Sequence, residues 1–180
     1  MKRRKMNFKN DDQLIVSASS KKTWARIFRY WLPPIFWMAF IFPVGNRLGS
    51  SPLFYRLIEA IVTWINPDAP LQVVEIVYIF LRKSFHFIEY GFLAALIFRA
   101  LRQDAQENWL KKWLIWSGIG AGVYAGVDEF LQAFIPSRNG SGIDLLIDWL
   151  GITCFLWLIL HRFRQKFFEN VRYTPENYKV

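Results

Sequence analysis

Cysteine is almost missing from this chain: Cys154 is the only one in 180 residues. An internal disulfide is therefore excluded, as is a zinc site built on paired thiolates. Histidine is nearly as scarce, with only His86 and His161, so no Cys/His cluster of the zinc type exists. Acidic residues are few, 14 against 23 Lys and Arg, which leaves a net charge of +9. No nucleotide or nucleic-acid motif accompanies that charge, and the basic residues flank apolar blocks instead of forming one stripe. Nucleic acid is not the expected partner.

What the chain does have is apolar and aromatic mass. Hydrophobic residues make up 53% of it, and nine are Trp. A single soluble domain of this size cannot cover so much apolar surface, so the expected solvent for the blocks is a bilayer. Four stretches approach the roughly 20 apolar residues needed to cross about 30 Å of hydrocarbon. They run from Tyr30 to Val44, Phe85 to Phe98, Trp113 to Ile135 and Ile143 to Leu160. Pro33 and Pro34 fit best in the opening turn of the first. The second is short, and "LQVVEIVYIFLRKSF" can continue the same helix outward. No small-x-small cleavage site follows the first block, which reads as an uncleaved anchor. The expected fold is an all-α membrane bundle of four transmembrane helices.

Lys and Arg set the orientation. Eighteen of the 23 lie in the N-terminal tail, the connection from 99 to 112 and the C-terminal tail. Arg47, Arg56, Arg82, Lys83 and Arg138 lie on the other side. Both termini are therefore expected in the cytoplasm, and the first connection outside. Within that connection "PLFYRLIEAIVTWI" repeats apolar residues at the helical period, which predicts an extracytoplasmic amphipathic helix on the outer surface. "NPDAP" ends it. Residues 1–29 read as a disordered basic tail, 30–162 as the membrane domain and 163–180 as a second cytoplasmic tail. Gly118, Gly122 and Gly126 make a flat groove for close helix packing, and Gly91 with Ala95 offers another.

Against this apolar background the polar residues stand out. Asp128 and Glu129 follow one apolar run in "DEFLQAFIPSR", and Asp144 and Asp148 lie inside the next. From the helical rise, Asp128 falls roughly 10 Å below the outer edge and Asp148 roughly 7 Å. His86 lies just below Lys83. Lys83, His86 and Tyr90 share an arc of about 60°, while Asp128 stacks over Gln132 and Asp144 over Asp148. The short turn "PSRNGSG" holds Arg138 and Ser141 above the same spot. One shared pocket under the outer surface is expected.

These residues also carry a resemblance. "KSFHFIEY" and "DEFLQAFIPSRNGSGIDLLID" together resemble the signature of VanZ-like membrane proteins. The likeness rests on Lys83, His86 and Tyr90, then on Asp128, Glu129, Gln132, Pro136, Arg138, Ser141, Asp144 and Asp148. Ser137 and Asp148 depart from it, standing where Gly and Asn are common. The resemblance implies a bacterial cytoplasmic-membrane protein of a family named for low-level resistance to the glycopeptide teicoplanin. It implies no agreed reaction.

Two readings of the polar layer remain open. In the first, pairings such as Asp128–Gln132, Glu129–Arg138 and Lys83–Asp144 only hold the helices together. In the second, the four carboxylates exceed Arg82, Lys83 and Arg138 by one charge, which a shared proton or a bound cation must meet. An oxygen-rich site suits Mg²⁺, Mn²⁺ or Ca²⁺. His86, Asp128 and Glu129 are then the candidate acid/base groups. Lys83, Tyr90, Gln132, Arg138, Ser141, Asp144 and Asp148 are the candidate ligand-binding groups. The partners expected are the bilayer and a lipid-linked cell-wall precursor or anionic lipid. Catalysis and simple binding both fit.

Overall fold

The computed structural model describes residues 24–42, 52–103, 110–134 and 142–172, the last seven through their backbone only. All its regular structure is helical: α1 (24–42), α2 (Pro52–Ile65), α3 (Leu71–Arg102), α4 (Leu110–Gln132) and α5 (Gly142–Arg172). The all-α expectation is met. Two helices, α3 and the Gly142–Gln165 part of α5, are long and apolar enough to cross a membrane. α1 and α4 fall short of the same standard. Arg26, Arg29 and the two prolines dilute α1; four glycines, Lys111, Lys112, Asp128 and Glu129 dilute α4.

Helix boundaries differ from expectation in instructive ways. α3 is one continuous helix of 32 residues, so the second block does extend outward through "LQVVEIVYIFLRKSF". α1 begins at residue 24, inside the stretch expected as a tail. Pro33 and Pro34 therefore sit in mid-helix and not in an opening turn. Each lacks an N–H, so the carbonyls of Arg29 and Tyr30 lose their helical donors; a protein interior tolerates this, and Pro34 is fully buried. α5 continues past residue 162 to Arg172. α2 has the bounds read from its period. After it, Asn66 N–H bonds to Val62 O at 2.8 Å, and Asp68 N–H to the Asn66 side chain at 3.2 Å. That turn reverses the chain into α3.

α3 is the hub. α5 runs parallel to it, as the pairs Lys83–Asp144, His86–Asp148 and Phe98–Phe163 show in order. α4 runs antiparallel, with Tyr90 on Asp128 and Ile97 beside Gly120. α1 is antiparallel too: Trp37 donates its indole N–H to the Glu89 carbonyl at 3.0 Å, and Arg99 reaches Tyr30. Tyr124 on α4 donates to the Met38 carbonyl at 2.6 Å, tying α1 from its other side. Ile41, Tyr90, Leu93, Ala94, Ala121, Ala125 and Ile152 form the core between these helices. α2 packs on the N-terminal half of α3 through Phe54 and Tyr55, with Phe54 against both Tyr78 and Phe85, and buries Ile58.

Glycines decide how closely the helices approach. A Cβ on Gly151 would run into the backbone carbonyl of Phe87, and one on Gly91 into the Phe155 ring. α3 and α5 therefore touch almost backbone to backbone. In the expected glycine groove of α4, Gly122 seats the Trp149 ring and Gly118 faces Leu156, while Gly126 faces open space. Large apolar side chains on every helix point outward instead, among them Phe36, Phe80, Val123, Phe130 and Leu150.

Candidate functional site

The polar residues do the reverse: His86, Asp128, Gln132, Asp144 and Asp148 are buried. The layer is organised by one face of α3. Lys83, His86 and Tyr90 are spaced by three and four residues, so they stack along that face over about 10 Å. Each meets a carboxylate from another helix.

At the outer rung Lys83 Nζ donates to Asp144 Oδ1 at 2.7 Å, and Arg82 donates to Asp144 Oδ2 at 3.2 Å. Two cations thus share one carboxylate. The Lys83 and Arg82 side chains keep 36% and 26% of their surface exposed, against 8% for Asp144. This rung is the accessible one.

One turn further in, His86 Nδ1 lies 3.2 Å from Asp148 Oδ1, with both side chains buried. Glu89 and Glu129 lie within electrostatic reach of this pair, the first toward His86 and the second toward Asp148. The innermost rung is on α4. The Tyr90 hydroxyl donates to Asp128 Oδ2 at 2.5 Å, and Gln132 Nε2 donates to the same oxygen at 2.7 Å. Among the described residues, Asp128 Oδ1 is enclosed without a partner. The His86 and Tyr90 rings lie 6.2 Å apart and nearly parallel, linking the two inner rungs.

The convergence read from the sequence is therefore present for Lys83, His86, Tyr90, Asp128, Gln132, Asp144 and Asp148. Of the three pairings expected, Lys83–Asp144 and Asp128–Gln132 form. Glu129–Arg138 lies outside the described residues, as do Ser141 and the whole turn that carries Arg138. The His86–Asp148 and Tyr90–Asp128 pairs were not anticipated, because they depend on the relative height of α3 against α4 and α5. The two α1 latches, from Trp37 and Tyr124, were missed as well. Their signal was general: an indole N–H or a phenol inside an apolar block needs an acceptor.

Chemically the layer offers a cationic rim, a His–carboxylate pair and a tyrosine–carboxylate–amide triad. Among the described residues no three carboxylate or imidazole groups converge closely enough to hold a metal ion. Asp144, Asp148 and Asp128 each answer a different donor on α3, which keeps them on separate rungs. A divalent cation therefore does not fit these residues as they stand.

No curated protein and no solved structure matches the chain. A family model described as VanZ/LLP1 does match it, over residues 28–164. That span covers every rung of the polar layer and about three quarters of the sequence. The chain belongs to the VanZ-like (VanZ/LLP1) family.

Proposed function

We propose that this protein is a multi-pass component of the bacterial cytoplasmic membrane whose polar layer, opening at the extracytoplasmic face, binds or modifies a lipid-linked envelope component. The reading is carried by one observation: charged and polar side chains of three helices are buried against each other while large apolar side chains face outward. A water-soluble fold arranges these classes the other way round. At 1.5 Å per residue α1 and α4 measure about 28 and 34 Å, enough for four spans although composition alone selects two. The distribution of Lys and Arg supports cytoplasmic termini.

In this reading Arg82 and Lys83, with Arg138, receive the anionic head of the ligand. His86, Asp128 and Glu129 handle protons, while Tyr90, Gln132, Ser141, Asp144 and Asp148 orient its polar groups. Family membership supports a link to glycopeptide susceptibility. The test is mass spectrometry of envelope precursors, with teicoplanin susceptibility, in cells with and without the protein. A precursor change that disappears in inserted His86→Ala and Asp128→Ala proteins supports the site. A phenotype that survives both substitutions rejects it.

A second reading is favoured by how completely the layer is paired. Arg82, Lys83, His86, Tyr90, Asp128, Gln132, Asp144 and Asp148 each make at least one side-chain hydrogen bond to another member of the layer. Such a ladder also fixes helix register without any ligand.

A further inference from the structure

The opposite end of the bundle carries a second arrangement. Arg29 on α1 and Arg99 on α3 both stand over the ring of Tyr30, with guanidinium carbons 5.9 and 5.7 Å from its centroid. Nearby, Arg102 lies 4.2 Å above the Phe163 ring, and Lys112 lies beside Trp113. The described carboxylates lie toward the other end; the nearest on α3, Glu89, is ten residues away, about 15 Å along the axis. In the sequence, the two tails and the connection from 99 to 112 carry eighteen Lys and Arg against Asp11, Asp12, Asp104, Glu107, Glu169 and Glu176. Cations outnumber carboxylates three to one in these segments.

We infer that Arg29 and Arg99, held beside Tyr30, form a seat for the phosphate of an anionic phospholipid in the leaflet at this end. An aromatic ring fixes a guanidinium by its flat face and leaves its N–H edge directed elsewhere. Two such edges from neighbouring helices match a phosphate, which accepts paired N–H donors. Both arginines are exposed, so the seat is reachable. The flanking surface is apolar and aromatic: Trp24 and Phe28, five residues and one residue before Arg29, are exposed. A lipid supplies both an anion and an acyl chain to such a surface, whereas a free anion supplies only the first. The seat is independent of the polar layer at the other end and of any ligand bound there.

The experiment uses the full-length protein in nanodiscs of phosphatidylcholine, titrated with phosphatidylglycerol and read by native mass spectrometry of retained lipid. Wild type is expected to retain phosphatidylglycerol preferentially. Arg29→Gln/Arg99→Gln should weaken that retention about thirtyfold, the loss expected for two interfacial arginines. Arg99→Gln alone, which keeps one ring contact, should weaken it about fivefold and serves if the double variant does not insert. Arg162→Gln/Arg164→Gln removes the same charge from the same end outside the seat, and should change retention much less. Equal losses from the two double variants overturn the seat in favour of diffuse attraction. Equal retention of both lipids by wild type overturns it outright. Inorganic phosphate that displaces phosphatidylglycerol at millimolar concentration would make the ligand a soluble anion, and overturns the lipid assignment.

Discussion

Tyr90 on α3 and Asp128 on α4 are joined by a 2.5 Å hydrogen bond between two fully enclosed side chains. Gln132 donates to the same carboxylate oxygen, so one acceptor serves two donors while its twin serves none among the described residues. That asymmetry separates two substitutions. Tyr90→Phe removes one of the two donors and leaves Gln132 on the oxygen, so it is expected to cost about 0.5–1.5 kcal/mol, the net worth of one hydrogen bond. Asp128→Asn can keep its amide oxygen under both donors and place its NH₂ where no partner existed. It should cost less. Thermal unfolding in detergent orders the two; Asp128→Asn proving the worse would show that the enclosed oxygen has a partner of its own.

The α3–α5 contact predicts a graded response to alanine. At Gly151 the new methyl meets the backbone of Phe87, which cannot swing aside. Gly151→Ala should therefore force the helices apart and be the most damaging glycine substitution. At Gly122 the obstacle is the Trp149 ring, which can give, though at a cost in packing. Gly126 faces open space, and Gly126→Ala should stabilise by about 0.5–1 kcal/mol through helix propensity. Inserted protein yield and melting temperature across the three variants check the order. A harmless Gly151→Ala would rule out the close approach.

These two sites also mark how much was legible in the sequence. Blocks, helical period and the bounds of α2 follow from local patterning, and so does the shared face of Lys83, His86 and Tyr90. The Lys83–Asp144 and Asp128–Gln132 pairs could be read because each needs only a hairpin level or a single helical turn. The His86–Asp148 and Tyr90–Asp128 pairs could not. They require the height of α3 against its neighbours to within a turn, which for α5 coincides with the close approach of Gly151 to the Phe87 carbonyl. Gly118, Gly122 and Gly126 drew attention through their spacing, while the more decisive Gly151 has no repeat around it. Pro33 and Pro34 misled because proline favours a first turn in water, a preference that packing overrides in mid-α1.

The outer rung predicts an asymmetric response to charge removal. Lys83→Ala leaves Arg82 on Asp144, and its partial exposure limits the loss to about 1 kcal/mol or less. Asp144→Ala leaves two neighbouring cations without their shared acceptor and should destabilise more. A double-mutant cycle between Lys83 and Asp144 measures the coupling. Equal single-variant losses would mean that Arg82 does not contribute.

The inner rung distinguishes a ladder that only holds helices from one that also binds. His86→Ala removes the one partner bonded to the Asp148 carboxylate among the described residues. Breaking a buried pair on one side is expected to cost about 3–5 kcal/mol. Replacing both residues, as in His86→Leu/Asp148→Leu, removes the need for pairing and should recover most of that stability, since well-packed hydrophobic residues often replace a buried polar pair without loss. The double variant is thus a bundle with its rung deleted and its packing kept. If the rung serves only register, envelope precursors and teicoplanin susceptibility in cells carrying it should match the wild type. If His86 and Asp148 meet a ligand, the restored protein should be present at normal level and inactive. Stability and cellular readout measured on the same variant therefore assign the rung to one role or the other.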